Sequence, residues 1–163
     1  MNGIYNSLHP YSFRLDGDKH YVFTTDAGTV YHAYFIDFSM YAPHFEEVYM
    51  FNIEPEVDTT NAPLDVRISH TIVRILSLFF ANHQNSMIMV CDSVDGRERK
   101  RNMLFDRWYR HYATADITKY DASAETEDYM LYVSLFVHKE NARKSEIVSA
   151  FYELVRNNMY PID

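Results

Sequence analysis

The sequence predicts an α+β fold: a mostly antiparallel sheet covered by three helices. Short apolar or alternating runs separated by Gly- and Pro-bearing turns dominate the first third of the chain. Three later segments carry apolar residues at helical spacing. Aromatic residues make up 16% of the chain, which favours strands and a thick core. At 163 residues, one domain spanning 1–163 is expected.

Residues 11–15 and 20–25 flank Asp16-Gly17-Asp18, a hairpin signal, and Asp26-Ala27-Gly28 turns the chain again into residues 30–37. In that third strand Tyr31, Ala33 and Phe35 alternate with Tyr34 and Ile36, so both faces are apolar and a central position is expected. Pro43 closes the region and residues 47–53 form the fourth strand. Two prolines and three acids mark 54–63 as a solvated loop. Residues 65–83 form the clearest helix. Ile68, Ile72, Ile75, Leu76, Phe79 and Phe80 lie along one stripe, with Asp65 as N-cap and Pro63 just ahead. The run 87–91 reads as a buried strand, 92–96 as a turn, and 97–112 as a second helix with Leu104, Phe105, Trp108, Tyr109 and Tyr112 on its apolar side. A weaker strand over 115–121, an acidic turn over 122–128 and a long strand over 129–138 follow. A third helix over 142–158 presents Ile147, Phe151, Leu154 and Val155. The order is β-β-β-β-α-β-α-β-β-α, and the strand–helix–strand step after residue 47 allows one parallel pair.

A formal charge of −8 and a pI near 5.4 argue against broad, non-specific binding to nucleic acids or membrane surfaces. One cysteine excludes an internal disulfide framework and fits a reducing compartment. Residues 1–10 lack a basic and apolar leader, and no apolar run is long enough to span a membrane, so a cytoplasmic location is expected.

Against that acidic background, six of the fifteen Lys and Arg residues fall within 97–110. Arg97 and Arg101, four apart, share a helical face near a helix N-terminus, where the dipole also attracts anions. With Tyr109 they suit a phosphate-bearing ligand, an acidic protein partner or a nucleic-acid backbone. A solvated face paired with acids such as Glu125 and Glu127 explains the same residues. Trp108, beside Tyr109 and Tyr112, could stack bases or belong to the core rim. Arg67, His70 and Arg74 line the polar face of the first helix. Cys91 reads either as a thiolate activated by the basic segment or as a buried, inert thiol. Asp92 and Asp95 could hold a divalent ion with a substrate phosphate, or cap the following helix. The eight histidines show no zinc-motif spacing, so no metal site is expected. The Walker, nucleophile-elbow, H-E-x-x-H and C-x-x-C motifs do not occur.

The stretch from Val90 to Tyr109 (VCDSVDGRERKRNMLFDRWY), with Asp128-Tyr-Met-Leu-Tyr and His138-Lys139 downstream, resembles a family of small bacterial proteins of unknown function, over about residues 10–156. That likeness implies no activity. The order of three strands, helix, strand, helix and two strands also resembles the core of GNAT-type N-acetyltransferases. That resemblance implies acyl-CoA as cofactor, held by a glycine-bearing loop at a helix N-terminus, and a tyrosine seven residues after an asparagine as general acid. Asn102 and Tyr109 have that separation, whereas another register puts Phe105 at the acid position. Arg67 and Ser69 stand where the resemblance requires glycines, so backbone cradling of a pyrophosphate gives way to a side-chain contact from Arg67. The expected function is a non-catalytic binding or interaction module. An acyl-CoA-dependent N-acyltransferase and an RNA-directed toxin-like or regulatory protein are the alternatives.

Overall fold

Strand β1 (Phe13–Leu15) and strand β2 (His20–Thr24) pair antiparallel, Phe13 opposite Phe23, in the computed structural model of the chain. The structure describes residues 8–41, 43–92, 108–113, 115–125, 127–128 and 130–157. The two turns fall where the Gly-bearing signals predicted them, with Gly17 at φ 93° and Gly28 at φ 86°. Strand β3 (Val30–Asp37) returns antiparallel to β2, His20 opposite Tyr34 and Val22 opposite His32. Strand β4 spans Val48–Pro55, helix α1 Val66–Phe80 and strand β5 Ser86–Asp92. Strands β6 (Ile117–Glu125) and β7 (Met130–His138) precede helix α2 (Lys144–Arg156).

Two compact units divide the chain, residues 1–36 with 51–81 and residues 37–50 with 82–163. In the first, the strand order is β1-β2-β3 followed by β4. Helix α1 lies on the face carrying Phe35 and Phe51. Phe35 stacks on Phe79 at 4.2 Å between ring centroids and meets Phe51 at 5.0 Å. Ile75 and Leu76 are fully buried, as the apolar stripe predicted. The Asp65 carboxylate accepts from the Arg67 N–H at 2.9 Å and caps the helix.

In the second unit the order is β4-β5-β7-β6. The parallel pair exists: Val48 to Met50 run alongside Ser86 to Ile88. The β1–β2, β2–β3, β5–β7 and β6–β7 pairs are antiparallel. Helix α2 packs Ile147, Phe151, Leu154 and Val155 into a core shared with Val133, Leu135 and Val137 of β7, and with Phe38, Phe45 and Val48. Phe136 faces the other way and carries Trp108, whose ring meets it edge-on at 5.4 Å.

Two expectations need correction. The acidic turn placed at 122–128 begins later, because β6 runs through Glu125, which pairs with Met130. Ladder pairing along β7 outweighs the turn-like composition of Ala122-Ser-Ala-Glu125. The second helix expected over 97–112 ends differently as well. Residues 97–107 lie outside the described part, and Tyr109–Ala113 is a π-helical turn instead of α-helix. The wider turn narrows the angle between consecutive side chains, and both Trp108 and Tyr109 meet Phe136. Among the described residues no helix is long and apolar enough to cross a membrane.

Candidate functional site

Alternation along β2 and β3 puts His20, Val22, His32 and Tyr34 on the sheet face opposite α1. Register makes His20 and His32 diagonal neighbours, and their rings meet. His20 Nε2 lies 2.9 Å from His32 Nδ1, and His32 Nε2 lies 2.8 Å from the Glu56 carboxylate. Both nitrogens of His32 are therefore engaged. A carboxylate only accepts, so His32 donates from Nε2, and its Nδ1 then accepts from His20 Nε2–H. This leaves the lone pair of the pair on His20 Nδ1. The Glu56 backbone N–H is fixed on the Val30 carbonyl at 2.9 Å, which sets the end of the chain in place. Beside it, burial and then the Glu54 carboxylate raise the Tyr34 phenol above its ordinary pKa, keeping it a proton donor.

Glu56 also lines a cleft of about 660 Å³ in the first unit, with Arg14, Asp26, Arg67, Tyr11 and Thr24 around it. That volume suits a small molecule. One wall is built by Arg67. Its Nε donates to the His9 carbonyl at 2.9 Å and its terminal nitrogens reach the Pro10 carbonyl and Asp26 carboxylate, each at 3.3 Å. The guanidinium also lies 4.0 Å over the Tyr11 ring. Tyr11 in turn donates its hydroxyl proton to Asp65. The Asp26 N–H on the phenol oxygen lowers the pKa of Tyr11, but Asp65, burial and the neighbouring acids outweigh it, and the net shift is upward. Arg14 differs from Arg67: its side chain is 67% exposed and, among the described residues, is held by a 3.9 Å contact with Asp16.

The structure treats the residues singled out from the sequence unequally. Arg67 lies at the cleft, turned onto backbone carbonyls. Ser69 donates its hydroxyl to the Val66 carbonyl at 2.6 Å, back onto its own helix. Trp108 is buried, and Tyr109 is half-buried with its ring 6.0 Å from that of Phe136. Arg97, Arg101 and Asn102 lie outside the described residues. Sequence reasoning missed the His20–His32–Glu56 chain. The signal was the Asp26–Gly28 turn, whose register makes those two histidines neighbours.

Comparison with known proteins adds little chemistry. No curated protein matches the chain. Among solved structures, the CoA-dependent acyl-homoserine lactone synthase MesI is similar at 12% identity and a TM-score of 0.39, covering 91% of this chain and 72% of that one. A likeness that loose fixes neither fold nor function. The model of a family of unknown function, DUF6169, matches residues 64–153, and the chain belongs to that family.

Proposed function

We propose that the protein is a binding module for a small polar ligand bearing an anionic group, seated in the cleft beside Glu56. One observation carries the reading: Arg14 is loosely held and solvent-facing on the cleft wall, while Glu56 opposite in charge is fixed by His32. The exposed guanidinium, held only by its long contact with Asp16 among the described residues, offers a bidentate anion contact, and the carboxylate accepts a donor from the ligand. Arg67 belongs to the wall instead of to the ligand, because its donors already serve His9, Pro10 and Asp26. We also assign Arg97 and Arg101 as a second anion contact, on the concentration of positive charge over 97–110.

Two other readings meet specific obstacles. Acyl transfer with the cofactor phosphates at the start of α1 would place them against Asp65, whose carboxylate already takes the Arg67 N–H. An anion there meets a like charge instead of free donors. RNA recognition by base stacking on Trp108 requires an exposed ring, and Trp108 is 7% exposed.

Thermal shift and calorimetry with phosphate, acetyl-CoA and short RNA test the assignment, using wild type, Arg14→Ala and Arg97→Ala/Arg101→Ala. The expected result is stabilisation by an anion that is lost in Arg14→Ala and weakened in the double variant. A response that neither variant alters, or none at millimolar ligand, refutes the anion-binding reading. Heat with acetyl-CoA but not with phosphate would favour acyl transfer.

A further inference from the structure

We propose that His83, His138 and Glu140 form a binding site for a borderline divalent metal ion, Zn²⁺ before others. His83 stands in the loop ahead of β5, His138 ends β7, and Glu140 follows in the next turn, all within the second unit. The imidazoles stack at 3.8 Å between centroids and 8° between planes. His83 Nδ1 lies 2.9 Å from Glu140 Oε2, and one ligand atom from each residue lies within 4.8 Å of the other two. Ligand atoms on a tetrahedral zinc with ~2.0 Å bonds sit about 3.3 Å apart. Rotation of two exposed side chains, His83 at 45% and Glu140 at 62%, closes the remaining gap.

The two loops carrying these groups are laced together before any ion arrives. Asn141, only 6% exposed, donates from Nδ2 to the Gln84 carbonyl and to Ser86 Oγ, each at 3.2 Å. The Gln84 side-chain oxygen accepts from the Ala142 N–H at 3.1 Å. His83 and Glu140 are therefore held close by contacts other than their own.

Two nitrogens and one carboxylate oxygen suit zinc and its neighbours, whereas Mg²⁺ and Ca²⁺ favour oxygen donors. Three protein ligands leave a fourth tetrahedral position open. On binding, the metal takes the lone pair of His83 Nδ1, whose proton moves to Nε2. The ion takes the lone pair of the buried His138 Nδ1, which without metal accepts from the Glu140 N–H at 3.1 Å. That amide therefore loses its acceptor, which gives the site a spectroscopic signature.

The test is calorimetric titration of the full chain with ZnCl₂, together with the Glu140 amide resonance and the visible spectrum of the Co²⁺ form. One-to-one binding is expected, with a shifted Glu140 amide, tetrahedral-type Co²⁺ bands and no heat from Mg²⁺. His83→Ala and Glu140→Gln should each weaken binding about tenfold or more. Both residues are exposed, so the metal-free melting temperature should hold. His44→Ala, an exposed histidine paired with Glu146, should leave binding unchanged. Zinc affinity that survives His83→Ala, or no heat at a hundredfold molar excess, overturns the proposal. The anion response assigned to Arg14 is independent of either outcome.

Discussion

Arg67 shows how a single side chain can be legible in type and not in role. The acetyltransferase resemblance implied a phosphate contact for it, and its place on the helix face a solvated charge; the guanidinium gives its donors to two carbonyls of the segment entering β1. Arg67→Ala should release that segment and destabilise the protein by about 1–2 kcal/mol, the Asp26 contact adding little because solvent screens it. Arg67→Lys should recover only part, since an ammonium cannot span both carbonyls and lie flat on Tyr11. The urea midpoint measures both, and equal midpoints for wild type and Arg67→Ala would refute the assignment. His70 supplies a pH prediction. Its Nδ1 accepts from the His9 N–H at 3.1 Å, which requires the neutral ring. Burial first, then His9 and Arg67, lower its pKa, against a smaller opposing pull from Asp65. The unfolded chain therefore binds the proton more readily. Stability from this group is present above the ordinary histidine range and is lost as pH falls through that range toward the folded value. His70→Asn keeps an acceptor without titrating, so its Tm should drop less than that of wild type between pH 7.5 and 5.5. Parallel pH curves for the two proteins would count against it.

At the scale of elements, the sequence was most readable where periodicity and capping agreed. Helix α1 combines an apolar stripe at helical spacing with Asp65 at its start, and both features reappear in the structure. Asp65→Ala removes the cap at a cost of about 1 kcal/mol, and it also strips Tyr11 of its acceptor. Circular dichroism during thermal melting should show a lower Tm for Asp65→Ala and a smaller loss for Asp65→Asn, which still caps. An unchanged Tm for the alanine variant would remove the cap from the account. Composition misled where partner strands decide. Ala122–Glu125 reads as a turn in isolation, but it pairs residue for residue with the apolar run Val133 to Met130 of β7, which extends β6 beside it. The same limit hides the chemistry. His20 meets His32 through hairpin register, and His83 meets His138 through the pairing of β5 with β7. Linear spacing records neither meeting.

For the whole molecule, chain path determines what can fold alone. Each compact unit is assembled from two separate stretches, so no single cut frees either one. The family match over 64–153 is consequently not a folding boundary. A fragment with those limits retains α1 without Phe35, which stacks on Phe79, and without Phe51, which packs on Phe35. It also lacks Phe38, Phe45 and Val48, each at most 3% exposed in the core beneath α2, and Val48 opens the parallel partner of β5. At its other end it omits Leu154 and Val155 from the same core. Removing one large buried apolar side chain commonly costs 2–5 kcal/mol, and losing these seven together exceeds the stability of an ordinary domain. The fragment should melt without a cooperative transition and give poorly dispersed amide resonances, whereas residues 8–157 should melt cooperatively. A fragment with dispersed resonances and a sharp transition would show that its core closes without those seven side chains, and the dependence drawn between the two stretches of each unit would fail.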